Sequence, residues 1–200
     1  MTTPSPHEPL YADRVYRSPM AVVTGVLLLA VIAWLCGDAV VRGEGTTRWV
    51  GLAIALLTVP LTVAFTVRPA VYANDDRMRV RNPFRVIVLP WGAVDAVRAG
   101  YSAEVLAEGS KYQLWSVPVS LRERKKVNRR LSRQDDAAAA TTAGPERAAA
   151  DQVVDELREL AERGAGRPGA QGAVTVRWAY EIIAPAVLGA VLLAVLLATG

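Results

Sequence analysis

The stretch that decides the fold covers residues 79–91 and reads RVRNPFRVIVLPW. Arginine and valine alternate at its start, Asn82-Pro83 is a turn signal, and residues 84–89 are rich in β-branched side chains. Pro90 and Trp91 close it. The pattern predicts two short strands joined by a tight turn, and it is basic where the flanking segments are apolar.

Further short strands are predicted on both sides of this stretch. Residues 71–73 and 78–81 are separated by Asn74-Asp75-Asp76, and Asn and Asp accept the backbone angles of a tight turn. A second hairpin pattern places residues 108–110 between residues 104–107 and 111–115. Residues 68–116 are therefore predicted to form a sheet of about five or six short strands, arranged as a meander or partial barrel.

Three long apolar runs lie outside the predicted sheet. Residues 19–37 and 49–67 contain no charged side chain, and residues 178–198 contain only Glu181. A helix of about 19 residues spans roughly 28 Å, which is close to the thickness of a bilayer's hydrocarbon core. We predict a two-span transmembrane hairpin over residues 19–67, with a kink at Pro60, and a third transmembrane helix over residues 178–198.

Composition agrees with separate apolar and charged blocks. The chain is 52% hydrophobic and 21% charged, with a mean hydropathy of +0.23 and a net charge of +4. Beside membrane spans, excess positive charge indicates topology and lipid contact, and no nucleic-acid motif accompanies it, so no nucleic-acid partner is expected. The single cysteine, Cys36, excludes an intramolecular disulfide, and with one histidine, His7, a metal site is not expected.

The remaining segments complete the predicted organisation. Residues 1–18 are proline-rich and form a flexible N-terminal tail, and residues 117–145 form a basic and alanine-rich linker. Residues 146–163 form an amphipathic helix that caps the sheet, and residues 164–177 are a Gly/Pro linker. The apolar face of the helix consists of Ala149, Val153, Val154, Leu157, Leu160 and Ala161.

The distribution of charge predicts an orientation. Arg14 and Arg17 precede the first span, the loop 38–48 between the first two spans is neutral, and the segments after the second span and before the third are basic. The positive-inside rule therefore places the N-terminus and the sheet domain in the cytoplasm of a multi-pass cell-membrane protein, with the C-terminus outside.

No catalytic constellation is present in the sequence. It has no Ser-His-Asp set, no HExxH motif, no phosphate-binding loop and no dinucleotide fingerprint. The paired carboxylates Asp75-Asp76 and Asp135-Asp136 lie in predicted turn and linker segments, which do not supply the convergent geometry of acid–base chemistry. We predict no enzyme activity, no catalytic residue and no cofactor.

The candidate contact residues are basic or aromatic. Arg79, Arg81 and Arg85 alternate along the strands, so we expect Val80, Val86 and Val88 to face the other way. These arginines line either a solvated face near anionic headgroups or a phosphate pocket, and Trp91 is either a core aromatic or an anchor. The strongest basic cluster, either a charged linker or a lipid-binding segment, consists of Arg122, Arg124, Lys125, Lys126, Arg129, Arg130 and Arg133.

Two features of the spans have alternative interpretations. Glu181 either pairs with Arg177 at headgroup level or is a functional acid inside the membrane. Small residues recur at four-residue spacing at Ala21 and Gly25, and again at Ala186, Ala190 and Ala194. Such stripes suit helix packing between the spans or between protomers, which leaves homo-oligomerisation open.

The motif at residues 80–85, the Leu89-Pro90-Trp91 ending and the order of segments resemble one known family. The chain is similar to the bacterial PH-like domain family of actinobacterial membrane proteins, in particular the group named after low molecular weight protein antigen 6. The resemblance covers residues 10–116 and 146–163. The basic insert at 117–145 and the third span depart from it. It implies a small PH-like curved antiparallel sheet or partial barrel capped by one C-terminal helix, in addition to the transmembrane helices, and no catalytic residues.

These observations lead to a functional hypothesis. The protein is expected to present a cytoplasmic PH-like domain at the cell membrane as a non-catalytic scaffold or binding module. Its expected partners are membrane lipids and a protein within the membrane. The alternative is an accessory or regulatory subunit of a membrane transporter or cell-envelope complex.

Overall fold

The computed structural model describes residues 14–99, 102–117 and 145–199. Three of its helices are long and apolar enough to cross a membrane: Pro19–Arg42 (α1), Thr46–Val67 and Tyr180–Thr199. The second consists of an α-helix, Thr46–Thr62 (α2), that continues as a π-helical turn over Val63–Val67. The first two helices are each longer than the apolar runs, because residues 38–42 and 46–48 of the predicted loop are helical and leave a turn of only three residues.

A five-stranded antiparallel sheet lies at one end of the three helices. Its strands are β1 (Arg14–Tyr16), β2 (Ala70–Ala73), β3 (Arg77–Arg81), β4 (Arg85–Pro90) and β8 (Thr175–Trp178), in that spatial order. The alternation of buried and accessible residues along β3 and β4 follows the period of two that a half-buried strand requires. The predicted turn at residues 74–76 is confirmed, since Asn74 Oδ1 accepts hydrogen bonds from the backbone N–H groups of Asp76 and Arg77.

A second antiparallel sheet has three strands, β5 (Val94–Ala99), β6 (Ala103–Ala107) and β7 (Ser110–Gln113). Its predicted hairpin turns at Glu108 and Gly109, both of which have positive φ, as a two-residue turn requires. The two sheets do not close into a barrel. The expectation of membrane helices plus a PH-like antiparallel domain is therefore confirmed, in the form of two packed sheets.

One amphipathic helix, α3 (Pro145–Gly164), packs against the sheets. Its residues Val154, Leu157 and Leu160 are buried, as the helical spacing predicts. They belong to a single core that both sheets share, together with Val71, Ala73, Met78, Val80, Ile87, Leu89, Trp91, Val97, Ala103, Val105, Ala107, Leu114, Val117 and Ala170. The helix therefore covers the open side of the sheet pair.

The membrane helices pack through small residues, with α2 in contact with both α1 and the last helix, α4 (Tyr180–Thr199). A Cβ on Gly25 of α1 would overlap Thr66, and a Cβ on Gly189 of α4 would lie 2.5 Å from the backbone nitrogen of Leu57. Gly25 and Ala186 are buried, whereas Ala190 and Ala194 are exposed. Ala186 therefore packs between the spans, Gly189 supplies the closest contact, and packing between protomers through Ala190 and Ala194 stays a prediction.

Two strands lie in segments that the sequence suggested were irregular. β1 occupies residues 14–16 of the expected flexible tail, and β8 occupies residues 175–178, across the end of the expected linker. β1 pairs with β2 and β8 pairs with β4, so they form the two edges of the five-stranded sheet. Each of the two strands is stabilised by hydrogen bonds to a strand that is remote in sequence. A pattern of neighbouring residues cannot predict such pairing.

Candidate membrane-proximal basic surface

The three membrane helices all join the five-stranded sheet at the same end. β1 ends at Tyr16, three residues before α1 begins, and β2 begins three residues after the π-helical turn ends at Val67. β8 ends at Trp178, two residues before α4 begins. Three short covalent junctions therefore hold the sheet directly against the ends of the spans.

The sheet that meets the spans is strongly basic. Its five strands contain six arginines and no acidic residue. On the outer face, which points away from the core, direct cross-strand pairing aligns Arg81 with Val86 and Val86 with Arg177. The next row of this face joins Val15, Tyr72, Arg79 and Val88. Arg79 and Arg177 are exposed, and Arg81 is half-buried.

Tyr72 is the centre of this outer face. Arg17 Nη2 donates a hydrogen bond of 3.3 Å to the Tyr72 hydroxyl oxygen, and Arg81 Nη1 donates one of 3.4 Å. The guanidinium of Arg79 lies over the ring, 5.0 Å from its centroid. Burial alone would raise the pKa of Tyr72, but hydrogen bonds and charge from Arg17 and Arg81 outweigh it and lower this pKa.

Arg85 does not belong to the same face as Arg79 and Arg81. Arg81 pairs with Val86 rather than with Arg85, so Val86 and Val88 share the face of Arg81 and Arg79. The expectation that Val86 and Val88 face away from these arginines is wrong, because the Asn82–Phe84 turn shifts the alternation by one residue. Arg85 pairs with Trp178 instead, and its guanidinium lies 5.9 Å from the centroid of a Trp178 ring.

Trp91 is a core residue and is not available as an anchor. Its side chain is completely buried, and its Nε1 donates a 2.7 Å hydrogen bond to the carbonyl of Asn74. A Cβ on Gly164 would lie 2.5 Å from Trp91 Cδ1, so the end of α3 passes directly over the indole. Trp91 therefore joins the first hairpin to α3, and lipid or partner contact by its side chain is ruled out.

Asn82 of the opening motif has a structural role that the sequence did not reveal. It is 4% exposed, its Nδ2 donates to the carbonyl of Gln113 at 2.9 Å, and its Oδ1 accepts from the backbone N–H of Trp115. The β3–β4 turn is thereby tied to the end of β7. The sequence shows only the Asn-Pro turn signal at this position, whereas the structure buries the amide, which then needs hydrogen-bond partners.

Aromatic side chains connect this turn to the second span. The ring of Phe65 makes an edge contact with Phe84 at 5.3 Å and a tilted contact with Trp115 at 5.6 Å, between centroids. Phe65 and Trp115 are about half exposed, as are Trp178 and, more fully, Tyr180 near the third span. Trp115, Trp178 and Tyr180 have amphipathic rings, and they lie near the span ends, where interfacial Trp and Tyr are common in membrane proteins.

Glu181 has a different partner from the expected one. Its carboxylate forms a 2.9 Å ion pair with Arg68, which follows the second span, whereas Arg177 lies on the sheet's outer face. The prediction that Glu181 pairs with Arg177 is therefore wrong. The π-helical turn, closed by the hydrogen bond from Arg68 N to Val63 O, sets the direction in which Arg68 leaves the helix. The ion pair links the second and third spans at the sheet end.

The end of the domain that is remote from the spans is held by structural ion pairs. Arg167, which follows α3, lies 3.1 Å from Asp75 and 3.6 Å from Asp76. These two carboxylates therefore neutralise a cation at the first hairpin. Among the described residues, no group of three or more His, Cys, Asp or Glu side chains is placed to hold a metal ion.

The basic cluster between Arg122 and Arg133 lies outside the described residues. The described chain before it ends at Val117, two residues after Trp115, whose ring contacts Phe65 of the second span. This part of the described chain therefore ends close to the end of the second candidate span.

One comparison with known proteins found a match within the domain. Residues 68–163 match a family model described as Bacterial PH domain. No curated protein and no solved structure matches the chain. The matched region contains β2 to β7 and nearly all of α3, while β1, β8 and all three candidate spans lie outside it. The chain therefore carries a PH-like domain that is similar to bacterial PH domains over residues 68–163.

Proposed function

We propose that this protein is a multi-pass membrane protein that holds a PH-like domain against the cytoplasmic surface of the cell membrane as a non-catalytic binding module. The observation that carries the proposal is the arrangement of the junctions. All three candidate spans meet the five-stranded sheet at one end through two-residue or shorter connections, at 17–18, 68–69 and 179. Such connections leave the domain little freedom to move away from the bilayer.

The chemistry of the domain supports binding rather than catalysis. PH domains are typically binding modules, and the carboxylates of Asp75, Asp76 and Glu156 take part in ion pairs within the domain. The proposal includes membership of the actinobacterial group named after low molecular weight protein antigen 6, which rests on the motif at residues 80–91. The basic cluster from Arg122 to Arg133 is proposed to contact the same leaflet, because the described chain before it ends at Val117, two residues after Trp115, whose ring contacts Phe65 of the second span.

The orientation can be tested by cysteine labelling in intact cells. In a Cys36→Ser background, Ser110→Cys places a thiol at an exposed site of the domain, and Glu44→Cys places one in the turn between the first two spans. A membrane-impermeant maleimide should label position 44 in intact cells and position 110 only in inverted vesicles. Labelling of position 110 in intact cells would show that the domain faces outside.

The binding role can be tested by purification in a mild detergent. A stand-alone module is expected to purify with lipids and without a stoichiometric membrane protein. If one transporter or envelope-synthesis protein purifies at fixed stoichiometry, the protein is instead an accessory subunit of that complex. A photoreactive side chain in place of Ser110 would then show, by crosslinking to that protein, whether the domain itself makes the contact.

A further inference from the structure

The last strand, β8, leaves one edge of the five-stranded sheet open. Among the described strands it pairs with β4 alone, and all four of its residues are exposed. It contains no proline, and its register with β4 runs without a bulge. Proline and bulges are devices that protect sheet edges, and an edge without them presents backbone groups to which another extended chain can bind.

Two residues of β8 carry the open backbone groups. The backbone N–H of Ala179 donates to the carbonyl of Phe84 at 2.9 Å, so these two residues form a hydrogen-bonded pair of the antiparallel ladder. Such pairs alternate with pairs whose backbone groups point away from each other. Arg177 therefore also bonds to β4, whereas the N–H and C=O groups of Val176 and Trp178 point to the open side of the sheet.

The side chains of the same two residues form an apolar strip. Val176 pairs directly with Ile87 of the core, so Val176 and Trp178 lie on the core-facing side of the sheet. They are nevertheless 41% and 54% exposed, so the domain does not cover them. In recognition by strand addition, main-chain hydrogen bonds give affinity and contacts to alternate side chains give specificity. The edge of β8 offers both.

The position of the edge indicates the direction of an added strand. β8 runs towards the membrane, because α4 begins two residues after Trp178. An antiparallel neighbour therefore starts beside the end of a span and runs away from it. The chain shows this arrangement at the opposite edge, where β1 leads into the first span and its antiparallel neighbour β2 follows the second span. A segment that directly follows a span of another protein fits the β8 edge in the same way.

The charge at the edge favours an acidic segment. Arg177 is exposed on the outer face of the sheet, and Arg85 is exposed on the core-facing side, next to Trp178. Among the described residues, neither arginine forms an ion pair. Opposite charges on directly paired residues attract, whereas like charges repel. An acidic residue opposite Arg177 is therefore favourable, and a second copy of this basic edge is not.

We propose that the open edge of β8 binds an extended acidic segment that directly follows a transmembrane span of a partner protein, and that this segment is added as an antiparallel strand. Its apolar residues lie opposite Val176 and Trp178, and an acidic residue lies opposite Arg177. Pairing over four residues is short, so the contact is transient and does not give a complex of fixed stoichiometry. The inference rests on the proposed function and names the class of partner and the strand that binds it. This strand lies outside the region that matches bacterial PH domains.

The test measures peptide binding to the full-length protein in a mild detergent by fluorescence anisotropy. The probe is a fluorescein-labelled hexapeptide of alternating valine and glutamate. Wild type should bind it roughly fivefold more tightly than the same peptide with lysine in place of glutamate. N-methylation of the valines removes the donors that face β8 and should weaken binding roughly tenfold. N-methylation of the glutamates alters the other edge of the peptide and should change binding by less than about twofold.

Two variants of the protein locate the contact. Val176→Pro removes an N–H that points to the open side, where an edge strand tolerates proline. It should weaken binding roughly three- to tenfold while thermal unfolding stays near that of wild type. Arg177→Gln should weaken binding roughly threefold, and the matched control Arg98→Gln, which changes an exposed residue of β5, should have almost no effect. The methylated peptides keep the test decisive if Val176→Pro does not fold.

Four outcomes would overturn the inference. They are the absence of binding by the unmethylated peptide, equal binding of the two methylated peptides, equal losses in Arg177→Gln and Arg98→Gln, and a dimer in light scattering that Val176→Pro dissociates. The last result would show that the edge binds a second copy. Because peptide binding in detergent does not depend on the labelling experiment in cells, the orientation of the domain and the role of the β8 edge can fail separately.

Discussion

Arg68 at the end of the second span and Glu181 in the first turn of the third form an ion pair of 2.9 Å that joins two membrane helices at the sheet. The side chain of Arg68 is only 12% exposed, whereas that of Glu181 is 63% exposed. The Nε of Arg68 is buried without a hydrogen-bond partner among the described residues. Glu181 is therefore the observed partner of a largely buried cation.

We expect this ion pair to contribute measurable coupling. In a double-mutant cycle with Arg68→Gln and Glu181→Gln, the coupling free energy should be about 1 kcal/mol, limited by the exposure of Glu181. The exposed pair Asp38–Arg42 within α1 is the matched reference and should give at most about 0.5 kcal/mol. Thermal unfolding in one detergent measures both cycles. Equal coupling in the two pairs would contradict a special role for Arg68.

Packing between the second and third spans should depend on Gly189. A Cβ at this position would lie 2.5 Å from the backbone of Leu57, so Gly189→Ala must separate the helices or distort them. We expect a loss of about 1–3 kcal/mol in the free energy of unfolding. Gly37→Ala in α1 is the control, because a Cβ there meets nothing within 4 Å. It should be neutral or slightly stabilising, and equal losses at both positions would refute close packing at Gly189.

The PH-like domain should depend on the indole of Trp91. Trp91→Phe removes the hydrogen bond to the Asn74 carbonyl and leaves a void under Gly164, so we expect a loss of about 1–3 kcal/mol. Trp34→Phe is the control, since Trp34 is 76% exposed on α1. Its effect on unfolding should be small. A Trp91→Phe variant as stable as the control would show that the hydrogen bond and the packing contribute little.

The environment of Tyr16, at the contact between β1 and α3, predicts that the free energy of unfolding depends on pH in the alkaline range. Partial burial, the hydrogen bond that the phenol donates to Glu156 at 2.7 Å, and the charge of Glu156 together raise the pKa of Tyr16 to about 12. Folding therefore favours the neutral phenol relative to its ordinary pKa of 10.0. This stabilisation is complete below pH 10 and is lost as the pH rises towards about 12.

Comparison of wild type with Tyr16→Phe isolates this effect. The difference in unfolding free energy between the two proteins should be constant at neutral pH. It should shrink as the pH rises above the ordinary tyrosine pKa of 10.0. Tyrosinate absorbance should show that the variant lacks one tyrosine that, in the wild type, ionises at a higher pH than ordinary tyrosines do. A difference that does not change over this pH range would show that Tyr16 ionises equally in the folded and unfolded protein.

The main features of the fold could be read from local patterns, because their causes are local. Apolar runs of membrane length predict three spans, and alternation around Asn82-Pro83 predicts the β3–β4 hairpin. The apolar spacing at Val154, Leu157 and Leu160 predicts the capping helix. Period and length are properties of the chain itself, so these elements could be predicted without knowledge of their neighbours.

The candidate site could be predicted only in part. Alternation along the strand indicates Arg79 and Arg81, but Arg17, Tyr72 and Arg177 come from segments far apart in sequence that meet only in the folded sheet. The alternation in the sequence also groups Arg85 with these arginines. The pairing register after the Asn82–Phe84 turn places Arg85 on the opposite face, because Arg81 pairs with Val86. Trp91 was open to two interpretations, and packing against Gly164 places it in the core.

The sequence alone therefore determined which segments are apolar enough for a bilayer and which form strands or an amphipathic helix, since hydrophobicity and periodicity are carried by neighbouring residues. The tertiary structure decided that β1 and β8 become the sheet edges, that Arg68 pairs with Glu181, and that Arg17, Arg79 and Arg81 surround Tyr72. These features depend on hydrogen bonds and charge contacts between remote segments. Their energies exist only once the chain has folded.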